Sequence, residues 1–179
     1  MDDLVFRRLG RDDFPRLVRW QAEPHVARWW GEPPDLATIE ARYAPCVDGS
    51  SPTEVFVVEQ AGRPIGLIQR YLVCDYPRWA RTTGFPDDAG IDYYLGEPDV
   101  VGRGVGAAML DAFSASVLLR YPDAAGVVVG VQQANVSSWR ALEKAGYVRV
   151  RAGYLDSDDP TDAGPAFVYR RTRPAIAPT

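Results

Sequence analysis

The sequence predicts a mixed α/β fold (α+β), with a central, mostly antiparallel sheet flanked by helices. Three stretches carry this expectation. Residues 90–106 read as a strand, a turn and a glycine-rich loop that runs straight into a helix. Residues 54–74 read as a hairpin, with Val55 and Val57 facing Ile65 and Leu67 across a turn at Ala61-Gly62. Gly126-Val127-Val128-Val129-Gly130-Val131-Gln132 is β-branched and uncharged, the pattern of a strand covered on both faces. With no internal repeat or linker, residues 1–173 are expected to form one domain and 174–179 a frayed tail.

In chain order, residues 4–9 make a first strand. Asp12 and Asp13 offer capping oxygens, and Pro15 suits the first turn of a helix reaching about Gln21. Phe14, Leu17, Val18 and Gln21 share one face of it. A short helix at 24–30 carries Val26, Trp29 and Trp30, and a third begins at Asp35 or Thr38 with Ile39 and Tyr43 one turn apart. Adjacent tryptophans on a helix cannot face the same core, so one is expected to pack and the other to line a cleft. After the hairpin, residues 75–88 read as an irregular loop, long enough to be functional or mobile.

Ile91, Tyr93 and Leu95 then alternate with Asp92 and Tyr94, and Gly96 with Pro98 ends that strand. Val105, Met109, Ala112, Phe113 and Ser116 recur at helical spacing until Tyr121-Pro122-Asp123. Asn135 caps a helix with an apolar stripe of Val136, Trp139 and Leu142, and Gly146 is placed for its left-handed end. Strands at 147–155 and 166–172 complete the sheet, joined by the acidic segment Asp156-Ser157-Asp158-Asp159-Pro160-Thr161-Asp162.

Composition narrows the function. A formal net charge of −4 argues against a nucleic-acid partner and suits a cationic substrate. No apolar run is long enough to span a bilayer, and Met1-Asp2-Asp3 has the wrong sign for a secretory leader. Cys46 and Cys74 suggest no disulfide framework, so a cytoplasmic protein, monomer or homodimer, is expected. His25, the single histidine, stands far along the chain from the glycine loop and is expected at the surface or in a cap.

Gly102, Gly104 and Gly106 stand at alternate positions just before a helix. Such a loop lets a ligand approach the backbone, and the N–H groups and dipole of the helix start favour a phosphate or pyrophosphate. Arg103 adds a full charge there. A connection that binds nothing fits the same glycines. The loop is followed by no Gly-Lys-Ser/Thr, and its strand lies mid-chain, so neither a nucleoside triphosphatase loop nor a dinucleotide fingerprint is supported.

Val101-Gly102-Arg103-Gly104-Val105-Gly106 resembles the acyl-CoA pyrophosphate loop of the GCN5-related N-acetyltransferases (GNAT), with Val101 where glutamine or arginine is usual. Asn135-Val136-Ser137-Ser138-Trp139-Arg140-Ala141-Leu142-Glu143-Lys144-Ala145-Gly146-Tyr147 resembles the second signature of that superfamily. Trp29-Trp30-Gly31, Tyr43 with Pro45, Gln69 before Tyr71, and Ile91-Asp92 leading into Gly96-Glu97-Pro98 extend the likeness to aminoglycoside 6′-N-acetyltransferases.

The resemblance implies a GNAT fold, acetyl-CoA as donor and a small polycationic amine as acceptor, the 6′-amine of an aminoglycoside first. It implies that Gly102, Arg103, Gly104, Val105, Gly106 and Ala107 hold the pyrophosphate, while Tyr94, Leu95 and Asn135 meet the pantetheine and thioester. Asp92 becomes the base or amine-orienting group, because an ammonium must lose a proton before it attacks. Trp29, Trp30, Tyr43, Gln69, Tyr71, Asp75, Trp79 and Glu143 become candidate acceptor contacts, with no metal. Asp75, Asp87, Asp88 and the 156–162 segment would surround a polyamine with negative potential.

Two positions depart from the pattern. Leu142 stands where many relatives have a tyrosine that protonates the leaving thiolate; Tyr93, Tyr94 and Tyr147 are the possible substitutes. Gly130 and Val131 stand where the 6′-acetyltransferases carry Asp-Pro, so an anchoring carboxylate is gone. A lysine-type or siderophore-type amine is therefore the alternative acceptor, and a non-catalytic acyl-CoA-binding module is the alternative from another class.

Overall fold

Seven strands form one sheet in the computed structural model, which describes residues 4–155 and 164–174. They are β1 (Leu4–Arg8), β2 (Glu54–Gln60), β3 (Arg63–Leu72), β4 (Ala89–Leu95), β5 (Gly126–Gln132), β6 (Val148–Leu155) and β7 (Gly164–Thr172). Their order across the sheet is β1-β2-β3-β4-β5-β7-β6, and every neighbouring pair is antiparallel except β4 and β5. This is the mixed, mostly antiparallel arrangement that the sequence predicts.

The period-two pattern of the strands sorts the core into two layers. Val55, Val57, Leu67 and Tyr94 face α1 (Phe14–Ala22), α2 (Pro24–Trp30) and α3 (Leu36–Asp48), packing against Leu17, Trp20, Val26 and Ile39. Phe56, Val58, Ile68 and Ile91 face the other way, toward Met109, Leu110, Phe113 and Val117 of α5 (Val105–Arg120) and Leu142 of α6 (Val136–Lys144). Tyr93 and Leu95 belong to this second layer, so the alternation along β4 is as read from sequence.

Several local expectations change. Residues 77–83 form a short helix, α4 (Pro77–Thr83), instead of irregular loop, with proline at its start and Gly84 at φ 79° closing it. Asp13 makes no side-chain cap on α1; its carboxylate takes Arg7, Arg16 and the Gly10 amide instead. The stripe of α5 is rotated: Ala112 is exposed, while Leu110, Ser114 and Val117 are buried because α5 lies against both the sheet and α6. Asn135 caps α6 as expected, accepting from the Ser138 amide, and Gly146 has φ 82°. The 156–162 segment lies outside the described residues.

Asp88, just before β4, is 1% exposed and receives a two-pronged bond from Arg170 of β7, Nε at 2.6 Å and Nη2 at 2.9 Å. It holds a structural cation rather than facing a substrate. Asp88→Asn leaves that guanidinium without a counter-charge, which costs about 3–5 kcal/mol when a buried pair is broken. The urea midpoint of unfolding should fall accordingly, and an unchanged midpoint would show that the pair is dispensable.

Candidate active site

The parallel junction of β4 and β5 is only two residues long, Ala89 with Val127 and Gly90 with Val128. Beyond it the strands separate, although β4 stays paired to β3 over its full length and β5 to β7. A cleft opens where they part. Its walls are Asp92 and Tyr93 of β4, Val129 to Gln132 of β5, Asn135 and Ser138 at the start of α6, Trp29 and Trp30 of α2, and Arg42 of α3.

Asp92 sits on the α1–α3 side of β4, and Gln69, its register partner on β3, donates from Nε2 to Asp92 Oδ2 at 2.8 Å. A buried amide thus fixes the carboxylate at the cleft wall. Both tryptophans reach the cleft, so the expectation that only one would do so is corrected. Trp30 does both jobs, also packing edge-on against Tyr94 at 4.8 Å between ring centres. Arg42, which the sequence did not single out, stands over the Trp30 ring at 5.4 Å and pairs with Glu32.

Other expected acceptor contacts go elsewhere. Tyr43 is fully buried among α1–α3, its hydroxyl accepting from Gln21. Tyr71 packs on Tyr76 and over Gly90, where a Cβ would meet its ring at 2.3 Å. Asp75 is exposed away from the cleft, and Glu143 accepts from Tyr169. Trp79 of α4 lies directly behind Gly130: a Cβ on that glycine would be 2.5 Å from the indole.

On the opposite side of β4, Tyr93 directs its hydroxyl to Ser138 Oγ at 2.7 Å, and burial pushes its pKa well above the usual tyrosine value. Tyr94 turns into the other layer, and Tyr147 is buried with its hydroxyl on Ser114 at 2.6 Å. His25, expected at the surface or in a cap, reaches the Leu95 carbonyl with Nε2 at 2.9 Å. That nitrogen must carry the proton to make this bond, so it donates and cannot serve as a base there.

The glycine loop lies where α5 begins. Gly102 and Gly104 have φ of 78° and 83°, and space is open where a Cβ would stand on either. Gly104 is the N-cap of a 16-residue helix and supplies no side-chain acceptor, so the first-turn N–H groups are available to an anion. The Leu95 and Ala141 side chains flank Gly106, which brings this helix start beside the end of β4 and α6.

The acetyltransferase (GNAT) domain profile matches residues 10–155. The chain belongs to the GNAT acetyltransferase family. Crystal structures of aminoglycoside acetyltransferase AAC(6')-Ib resemble this GNAT chain at 26% identity: the complex with coenzyme A has a TM-score of 0.82 over 96% of this chain and 95% of that one. The complex with coenzyme A and kanamycin has the same TM-score and coverage. A spermidine N-acetyltransferase SpeG chimera from Vibrio cholerae and hSSAT shares the fold, at 16% identity, TM-score 0.72, 94% of this chain and 95% of that one. This GNAT member is an acetyl-CoA-dependent N-acetyltransferase.

Gly130→Ala should force the Trp79 ring from its seat. A loss of roughly 1–3 kcal/mol is expected from overpacking, with a shift in tryptophan emission. Unaltered emission and melting would mean that the ring has room to yield.

Proposed function

We propose that this enzyme acetylates a primary amine on a small-molecule acceptor, the 6′-amine of an aminoglycoside being the first candidate. The observation that carries the reading is Asp92, held by Gln69 on the wall of a cleft that also has two indoles. An ammonium docked there loses its proton to Asp92, directly or through water, and its freed lone pair can attack. One carboxylate partner contributes on the order of 1.5–3 kcal/mol to holding the amine. The flat faces of Trp29 and Trp30 suit the apolar side of a sugar ring. The likeness to AAC(6')-Ib in complex with kanamycin supports this acceptor class.

Acetyl-CoA supplies the activated acetyl group. The main-chain N–H groups of Gly102 to Ala107 and the Arg103 charge are assigned to its pyrophosphate, because the open positive-φ glycines and the uncapped helix start fit an anion. Asn135 and the backbone at Leu95 are assigned to the acyl end. Here the parted edge of β4 offers main-chain donors to a carbonyl oxygen gaining charge.

A second reading rests on charge. Among the described cleft residues Asp92 is the sole carboxylate, and Arg42, already paired with Glu32, adds a guanidinium with further N–H donors. Asp92 with Arg42 suits an amine whose molecule also bears a carboxylate, such as a lysine-type side-chain donor, as well as it suits a polycation.

Thiol release from acetyl-CoA against aminoglycosides, polyamines and lysine derivatives tests both. Turnover of kanamycin is expected; release only with lysine derivatives would transfer the assignment to the second reading, and release with neither would reject both. Asp92→Asn should lower kcat about 10²–10⁴-fold with acetyl-CoA affinity retained. A rate within a few-fold of the parent would remove Asp92 from the chemistry. Gly104→Val, strained at positive φ, should weaken CoA binding about tenfold in calorimetry.

A further inference from the structure

Asp92 and Tyr93 are sequence neighbours on one strand, so their side chains leave on opposite faces of the sheet. Both nevertheless line the same cleft, because the cleft passes through the gap where β4 and β5 part. One face offers a carboxylate for the incoming amine. The other offers a phenol, anchored to Ser138 Oγ at 2.7 Å beside Asn135.

We propose that the Tyr93 hydroxyl is a catalytic hydrogen-bond donor to the leaving sulfur. This rests on the acetyltransfer reaction and on the acyl end lying at the cleft, and not on which amine is the acceptor. As the C–N bond forms, the C–S bond breaks and its electron pair goes to sulfur. The proton from the amine leaves by way of Asp92, and the departed thiolate is later protonated by water. Tyr93 contributes an O–H bond to the sulfur while its charge is greatest.

Three features fit this role. Burial raises the phenol's pKa, so it stays protonated across the pH range in which amines react. Ser138 Oγ can donate to the phenolic oxygen, and the phenol's own hydrogen then has only a long contact to the Ser138 carbonyl, at 3.5 Å, to give up when it turns to a sulfur in the cleft. The competing groups are spent or misdirected: Tyr147 is committed to Ser114, Tyr94 lies in the opposite layer, and Leu142 has no proton to give.

Tyr93→Phe keeps the ring and removes the donor. With acetyl-CoA and whichever amine of the panel the parent acetylates fastest, kcat should fall roughly ten- to hundredfold, the worth of a hydrogen bond to a charged group. With the acetyl thioester of an electron-poor aryl thiol, which leaves without help, the loss should shrink to about threefold or less. Calorimetry at pH 9, where the thiol is largely ionised, gives a readout independent of turnover. The parent should prefer CoA over desulfo-CoA, and Tyr93→Phe should lose about tenfold of that preference. Ser138→Ala, a milder change, should slow acetyl-CoA turnover several-fold. The proposal is overturned if Tyr93→Phe keeps a rate within threefold of the parent, if both donors suffer equally, or if the CoA preference is unaltered. Failure of kanamycin as an acceptor bears on the acceptor reading alone and leaves this comparison standing.

Discussion

Two parallel strands that part after two paired residues are the constraint from which the rest of the site follows. A buried strand edge with unmatched N–H and C=O groups is costly, so such a gap persists only where water or a ligand reaches it. Here the outer edges of both strands are fully engaged, β4 with β3 over seven residue pairs and β5 with β7 over seven. The sheet therefore remains continuous at its base while its middle opens. An opening through a sheet does what a surface groove cannot: it brings side chains from both faces to a single space, so adjacent residues with opposite directions can act on opposite ends of one reaction.

The far end of β4 must then be held without its neighbour, and Glu97 does this. It accepts from Trp20 Nε1 at 2.7 Å, from Arg19 at 2.6 Å and from Arg63 at 3.1 Å, joining α1 and the β2–β3 hairpin to the turn that leads into the glycine loop. Arg19 in particular holds its carboxyl below the usual range. Both arginines are about half exposed, so their ion pairs are screened and worth little. The indole, fully buried, is the stronger tie. It also explains Gly96, where a Cβ would lie 2.1 Å from the Trp20 ring. His25 fastens the Leu95 carbonyl from α2, so the α1–α3 layer positions the strand that carries Asp92 and Tyr93.

What could be read from the sequence was whatever local periodicity or a local backbone requirement encodes. The faces of β4, the cap at Asn135, the left-handed Gly146 and the doubly covered β5 all follow from neighbours within four residues. The cues for α4, Pro77 and Gly84, were present too, but seven residues are too few for helical periodicity to outweigh loop composition. The remaining errors concern distance along the chain. The resemblance implies Tyr43 as an acceptor contact, yet one step along a helix turns a side chain by about 100°, and it is Arg42 that reaches the cleft. Tyr93 with Ser138, and His25 with Leu95, meet across 45 and 70 residues, and only the fold brings them together.

Gly130 and α4 belong together in the same way. A side chain at position 130 and the indole of Trp79 would compete for one volume, since an added Cβ falls 2.5 Å from the ring. The missing carboxylate and the tryptophan are therefore one structural choice: whichever occupies that wall excludes the other. With the indole in place the described β5 wall is uncharged, with Gln132 as its polar side chain, and among the described residues the charge of the cleft comes from Asp92 and Arg42 on the opposing walls. Among the described β5 residues of the cleft, Gln132 offers an amide and none offers a carboxylate. On the proposed acceptor reading, selection among amines by the described residues rests on the fit of the acceptor's body against Trp29 and Trp30, and on what its remaining groups offer to Gln132 and Arg42.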